Sequence, residues 1–245
     1  MRAFPDPRIP VAFGRNAPLL ALLLTLAAFG PRPAGAQPGL PAADAGGTAS
    51  EPAALELLRQ VRDRYAAYKG LSMDFTLEIA DLENGETETQ RGTFSVRGEA
   101  FRFSMGTQTL VCDGDTIWTW LEDVNEVQIN RWEPELEEEG FLSPSDLFDL
   151  PESEYVARLG ERAERDGKTE QAIDLTPLDR DLDFHKIRLF VRPATGEVLR
   201  AVIMDRNAIH FTYTLANVKP NPAFAPDHFR FDVKAHENVS VIDLR

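Results

Sequence analysis

Residues capable of acid–base, nucleophilic or metal chemistry are scattered along this chain of 245 residues. The histidines show none of the close spacings that zinc sites use, and a single cysteine makes no intramolecular disulfide. The sequence contains no nucleophile elbow, phosphate-binding glycine loop or His/Glu metal motif, so it predicts neither an enzyme nor a cofactor. The many carboxylates leave a catalytic pair open. The residues expected to be ordinary strand, loop or core residues are His185, His210, His228, His236 and Cys112.

A different chemistry, contact with apolar groups, is indicated by large apolar residues that recur at every second position. Alternate residues of a β-strand share one face of a sheet, so such pairs predict an apolar face and a polar face. Aromatic residues are also common in ordinary strands, so a plain sheet core is the alternative for each pair. Pairs with this spacing are Phe94 and Val96, Phe101 and Phe103, and Trp118 and Trp120.

The first element that could position these residues is an amphipathic helix of about 16 residues. Ser50-Glu51-Pro52 is typical of a helix start, and Gly70 is typical of a C-terminal cap. Between them Leu58, Val61 and Tyr65 recur at helical spacing, so one side of this helix must lie on an apolar surface.

After Gly70 the apolar period changes from that of a helix to that of a strand. Met73, Phe75 and Leu77 alternate with polar residues, and similar segments follow as far as the C-terminal region. Turn signals such as Asn84-Gly85 separate them, which predicts about ten antiparallel strands in hairpin order. The last two strands are predicted around 229–231 and 239–241.

The strand pattern is interrupted midway by residues 132–142, which include an acidic cluster at 135–139. A solvated loop is the simplest interpretation of that cluster. Ser143-Pro144-Ser145-Asp146 then predicts a short helix, with Leu147, Phe148 and Leu150 on its apolar face.

A sheet of about ten strands twists and curls, and its apolar face needs a cover. Two amphipathic helices are too few to fill the concavity of so large a sheet, which favours a hydrophobic cavity over a solid core. A closed barrel filled by its own side chains would satisfy the same pattern.

The N-terminal region is typical of an exported protein. Arg2, Arg8 and Arg15 precede an apolar run of about 13 residues, shorter than the ~20 of a membrane-spanning helix. Ala34-Gly35-Ala36 then suits signal peptidase, so cleavage is predicted near Ala36-Gln37. The predicted organisation is a signal peptide at 1–36, a flexible linker at 37–50 and one domain at 51–245.

The net charge restricts the partners of the chain. The formal charge is −14, and removal of residues 1–36, which carry four Arg and one Asp, leaves −17. An acidic chain of this kind is not expected to bind nucleic acid or to adsorb tightly to anionic membranes. We expect a soluble monomer.

Residues 92–120, GTFSVRGEAFRFSMGTQTLVCDGDTIWTW, resemble the outer-membrane lipoprotein carrier (LolA) family. In that family a G-x-F…R-x-x-x-F-R hairpin precedes an S-D-G-x-x-x-W turn and strand. The resemblance extends to residues 70–76, 143–148, 229–231 and 239–241. The chain is therefore identified as a divergent member of the family.

The resemblance implies a mostly β fold with a helical lid, in the α+β class. The expected sheet is an open antiparallel half-barrel of ten to eleven strands, covered by the N-terminal helix and the mid-chain helical insertion. The implied function is that of a periplasmic chaperone, which receives lipoproteins from an inner-membrane ABC-type transporter. It shields their acyl chains in a hydrophobic cavity and releases them to an outer-membrane acceptor. The alternative is a periplasmic lipid-sensing or regulatory protein on the same fold.

The resemblance also implies roles for individual residues. Phe101 and Phe103 match an aromatic pair near the family's cavity. Arg97 matches an arginine that holds the lid closed through hydrogen bonds to helix carbonyls, although Gly98 replaces the proline that follows it in the family. A solvent-exposed Arg97 and a permanently packed lid helix are the alternatives. The predicted lipid-binding residues are Phe94, Val96, Phe101, Phe103, Leu110, Trp118 and Trp120 on the sheet, and Leu142, Leu147 and Phe148 on the lid.

Overall fold

The computed structural model describes residues 49–132, 146–165 and 167–245. Within these ranges one α-helix, α1 at Pro52–Ala66, precedes twelve strands. Short 3₁₀ turns lie at Asp146–Phe148, Glu152–Glu154 and Val233–Ala235. The strands are β1 Leu71–Asp81, β2 Glu86–Arg97, β3 Ala100–Met105, β4 Gln108–Cys112, β5 Thr116–Leu121, β6 Glu126–Arg131, β7 Tyr155–Arg165, β8 Lys168–Pro177, β9 Phe184–Arg192, β10 Glu197–Asp205, β11 Ile209–Pro220 and β12 Ser240–Asp243.

All twelve strands form one open, curved sheet in the order β12-β6-β5-β4-β3-β2-β1-β11-β10-β9-β8-β7. Two meanders, β1–β6 and β7–β11, meet where β1 pairs with β11. Every neighbouring pair is antiparallel except β12, which pairs in parallel with β6. In the described part of the chain the sheet ends at β7 and β12, so it is a half-barrel and not the closed barrel that the pattern left open.

The helix start predicted at Ser50-Glu51-Pro52 is confirmed, with Pro52 in the first turn. The two residues before the helix bind it to the edge of the sheet. The Oγ of Ser50 accepts a hydrogen bond from the backbone N–H of Ala157 on β7, and the N–H of Glu51 donates to the carbonyl of Ala157. The helix ends at Ala66, four residues before the predicted cap at Gly70.

Three details of the predicted fold are corrected. The described part of the chain forms a sheet of twelve strands instead of ten or eleven. The described part of the mid-chain insertion is a three-residue 3₁₀ turn and not a longer helix, while residues 133–145 lie outside the described ranges. Residues 229–231 form no strand: Phe231 is buried in the cluster on the outer face, and Phe229 is buried against Phe224, His228 and Arg97, so the two rings imitate strand alternation.

The two faces of the sheet are covered differently. The interior face carries the main core cluster, in which the buried side of α1 and the segment Leu147–Leu150 pack on the strands. The outer face of β4–β6 carries a second, smaller cluster, in which Phe231 joins strand residues such as Val111 and Val127. The C-terminal segment between β11 and β12 therefore crosses the outer face.

Candidate functional site

The interior face of β2, β3 and β4 is a continuous apolar surface. Phe103 pairs with Phe94 on one side and with Leu110 on the other, and Phe101 pairs with Val96. Paired residues of antiparallel strands point to the same face, and all five side chains are at most 7% exposed. Their predicted common face is confirmed, while lipid binding by them stays a prediction.

Helix α1 and the segment Leu147–Leu150 form a cover within the main core cluster, in which α1 lies against β7 and β10. The ring of Phe148 stacks on that of Tyr65, with centroids 4.0 Å apart and planes at 14°. The Tyr65 hydroxyl accepts a hydrogen bond from the N–H of Val198 on β10 at 3.2 Å. The Nε of Arg59 also donates to Glu152 at 2.9 Å, so α1 holds the mid-chain segment at two points. The predicted lid residues Leu147 and Phe148 lie in this cover, and Leu142 lies outside the described residues.

The interior face includes aromatic residues that were not among the predicted lipid-binding set. Trp132, directly after β6, lies edge-on to Phe101 with centroids 5.1 Å apart. Phe75 on β1 stacks near Phe103 at 5.5 Å. The strand period of Phe75 can be read from the sequence, but its place beside Phe103 depends on the pairing of β1 with β2 and of β2 with β3.

Gly92, the glycine of the family's hairpin motif, is required by the ring of Phe75. A Cβ at position 92 would lie 2.3 Å from Cζ of Phe75 and 2.6 Å from the carbonyl oxygen of Ser104. Both distances are shorter than any real Cβ contact, so only glycine allows the Phe75 ring to lie across β2.

Trp118 and Trp120 lie on the outer face of the sheet. Their predicted place in the interior lining is therefore wrong. Leu110 pairs with Thr119 on β5, so the odd-numbered Thr119 shares its face and the even-numbered tryptophans point the other way. Trp120 packs against Phe231, with ring centroids 5.8 Å apart. The two tryptophans therefore bind the C-terminal segment of the chain to the sheet.

Arg97 also faces the C-terminal segment, so the structure does not support its predicted role as a lid latch. Its guanidinium carbon lies 5.0 Å from the ring centroid of Phe229 and 5.9 Å from that of Phe224. Arg97 is one residue out of phase with the interior Val96, and it contacts aromatic faces instead of helix carbonyls. Arg97 is exposed, which agrees with the alternative interpretation of a solvent-exposed arginine.

Burial favours the neutral forms of Cys112, Tyr65 and His228. Burial raises the pKa of Cys112 to about 12, and the thiol is fully buried on the interior face, as the sequence predicts. Burial likewise raises the pKa of Tyr65 to about 12. On the outer face the pKa of His228 is lowered by burial and by the positive charges of Arg102 and Arg97.

Across 49–132, 146–165 and 167–245, no group of three or more His, Cys, Asp or Glu side chains could hold a metal ion. No helix in those ranges is long and apolar enough to cross a membrane.

A curved half-barrel sheet whose apolar face lies under a helix defines the class of fold. Within it, residues 66–232 match the family described as "Outer membrane lipoprotein carrier protein LolA". The match covers more than half of the chain and includes strands β1–β11, so this chain belongs to the LolA family. No curated protein matches the sequence.

Solved structures that match this chain are distant in sequence. An uncharacterized conserved protein from Thermus thermophilus is 13% identical, with a TM-score of 0.50 over 78% of this chain and 98% of its own. Lipoprotein LppX from Mycobacterium tuberculosis is 16% identical, with a TM-score of 0.45 over 71% of this chain and 99% of its own. A LolA superfamily protein from Nitrosomonas europaea is 12% identical, with a TM-score of 0.41 over 73% of this chain and 98% of its own. The Thermus structure shares the fold, and identities this low carry no information about ligands.

Proposed function

We propose that this protein binds the acyl chains of lipoproteins on its interior face and carries them across the periplasm. The observation that carries the proposal is the interior face itself, a broad apolar surface that, among the described residues, shares one core cluster with α1 and the segment Leu147–Leu150. Membership of the lipoprotein carrier family supports the same ligand class. Each methylene withdrawn from water contributes about 0.8 kcal/mol, so acyl chains need such a surface to travel through water.

The buried state of the lining implies how a ligand would enter. Phe103 is fully buried and Phe94 is 2% exposed, so acyl chains must replace cover residues that now fill the interior. The cover is held by α1 contacts such as the Tyr65–Phe148 stack, whereas the sheet is held by continuous strand pairing. Displacement of the Leu147–Leu150 segment, with or without α1, therefore leaves the sheet intact and opens the face.

The route of the cargo follows from the same proposal. The segment 1–36 directs export and is cleaved near Ala36-Gln37. Residues 37–50 form the linker between the cleavage site and the domain. The protein then receives lipoproteins from an inner-membrane ABC-type transporter and passes them to an outer-membrane acceptor. It acts as a monomer, without a cofactor and without catalysis.

The test is site-specific photo-crosslinking on the two faces of the sheet. Benzoylphenylalanine replaces Phe101 on the interior face in one protein and Trp118 on the outer face in another. Each protein, expressed from Gln37, is mixed with a triacylated lipoprotein and irradiated. We expect the lipoprotein to crosslink at position 101 and not at position 118, because the two side chains lie on opposite faces.

A second measurement separates a carrier from a lipid sensor. The loaded protein is mixed with outer-membrane vesicles, and the lipoprotein that sediments with the vesicles is measured. A carrier transfers its cargo, whereas a sensor keeps it.

The crosslinking test has a clear contradictory result. Equal crosslinking at positions 101 and 118, or none at either, would contradict binding on the interior face.

A further inference from the structure

Gln108 is a buried polar side chain on the interior face, beside the apolar residues Met105, Leu110 and Leu121. It is the first residue of β4, where it pairs with Met105 on β3 and with Leu121 on β5. Leu110, two residues further along β4, shares its face. Gln108 is 5% exposed, and its Nε2 is buried without a hydrogen-bond partner among the described residues. A buried amide donor without an acceptor destabilises a fold, so its presence needs an explanation.

A second buried glutamine on the same sheet shows how this protein satisfies such a group when it is structural. Gln171 on β8 is 7% exposed and pairs with Val191, a member of the main core cluster. Its Nε2 donates to the carbonyl oxygens of Gly160 and Ala172, both at 3.0 Å. Gln171 therefore stabilises the bulge of β7 between Leu159 and Arg162. The Nε2 of Gln108 makes no corresponding hydrogen bond to a described residue.

We propose that the Nε2 of Gln108 donates a hydrogen bond to an ester carbonyl oxygen of a glyceryl lipid bound on the interior face. This inference rests on the proposed function and names the lipid chemistry that the site selects. An ester carbonyl accepts hydrogen bonds and carries no charge, which matches a neutral amide among apolar neighbours. A fatty-acid carboxylate fits less well, because burial of its charge requires a cation. The same-face strand neighbours Met105, Leu110 and Leu121 supply none.

The position of Gln108 is consistent with a headgroup end and a chain end of the site. Gln108 follows the turn at Gly106, and Phe101 lies toward the other end of the β3–β4 hairpin, where it pairs with Cys112. Cys112 lies four positions along β4 from Gln108, a distance of about 13 Å. A lipid whose ester lies at Gln108 would extend its chains past Leu110 and Phe103 toward Phe101.

The test compares two lipids that differ only in the carbonyl. Dipalmitoylglycerol carries two esters, and dihexadecylglycerol has ethers in their place with chains of the same length. Both are titrated by fluorescence displacement into the wild-type protein and into Gln108→Leu, a variant of similar volume without the amide. We expect the wild-type protein to prefer the ester lipid roughly tenfold and Gln108→Leu to lose that preference.

Gln171→Leu is the matched control. It removes a buried glutamine whose hydrogen bonds are complete, so we expect lower thermal stability with the ester preference retained. Gln108→Leu should unfold at the same or a higher temperature than the wild-type protein, because it removes an unpartnered buried donor.

The outcomes separate this inference from the proposed function. A wild-type protein that binds both lipids equally well overturns the role of Gln108 and leaves lipid carriage intact. A Gln108→Leu protein that keeps the tenfold ester preference also overturns the role. A wild-type protein that binds neither lipid, nor a triacylated lipoprotein, overturns both proposals.

Discussion

Replacement of Phe148 by alanine should weaken the fold and tighten the binding of acyl chains at the same time. Phe148 is 1% exposed, and its ring stacks on Tyr65 of α1 at 4.0 Å. It belongs to the short cover segment and to no strand of the sheet. Phe148→Ala therefore removes contacts that hold the cover closed and leaves every strand pairing in place.

The size of the effect follows from the burial of this ring. Truncation of a buried Phe to Ala lowers the free energy of unfolding by about 3–5 kcal/mol. The stacking of the two rings accounts for about 0.5–1.5 kcal/mol of that loss. At the lower limit, about 3 kcal/mol, the ratio of open to closed cover rises roughly 150-fold. If acyl chains bind only the open state, their apparent Kd falls by up to the same factor.

The assay pairs thermal unfolding with titration of a fluorescent fatty-acyl probe. Phe148→Ala should lower the Tm and lower the apparent Kd of the probe. Leu189→Ala is the control, because Leu189 is fully buried on β9 of the sheet and is not part of the cover. Leu189→Ala should lower the Tm without lowering the apparent Kd of the probe. If Phe148→Ala weakens probe binding as Leu189→Ala does, the segment Leu147–Leu150 is a permanent part of the core and not a lid.

Three further predictions concern single residues. Gly92→Ala should lower the free energy of unfolding by about 1–3 kcal/mol in urea, because the new Cβ collides with the Phe75 ring. Cys112 should react with iodoacetamide at pH 8 only when the protein unfolds, because burial raises its pKa to about 12. The Tm should fall as the pH drops below about 6.5, since burial and two nearby arginines lower the pKa of His228 and only its neutral form suits the folded state.

Each of these predictions has a result that would contradict it. Unchanged unfolding of Gly92→Ala would mean that Phe75 can move aside at little cost. Rapid alkylation of Cys112 in the folded protein would mean that the interior opens more readily than its packing indicates. For His228 the contribution is fully present above its unfolded pKa and is lost as protons bind below it. His228→Gln should therefore reduce the loss of Tm between pH 7 and pH 5.

The alternation within single elements could be predicted from the sequence, because it depends on local geometry. The buried residues Met73, Phe75 and Leu77 of β1 lie at every second position, and Leu58, Val61 and Tyr65 of α1 lie at helical spacing. Both patterns follow from the periods of strand and helix and need no knowledge of neighbours.

The face on which each strand residue lies could not be predicted in the same way. Trp118 and Trp120 share a face within β5, but the register of β5 against β4 decides which face that is. The outer face would normally be polar, yet the C-terminal segment covers the tryptophans with Phe231. The parallel pairing of β12 with β6 depends on the same long-range crossing, which leaves no signal in local periodicity.

The motif that identifies the family has structural residues and interior residues in this chain. Gly92 makes room for Phe75, and the side chain of Asp113 accepts hydrogen bonds from the N–H groups of Asp115 and Thr116 to form the β4–β5 turn. Trp118, the tryptophan of the motif, lies on the outer face, whereas Phe94 and Phe101 of the motif lie on the interior face. Apolar side chains such as these two would accept any acyl chain. In the proposed carrier, selection among lipids therefore depends on interior side chains with unmet bonding capacity, of which Gln108 is an example.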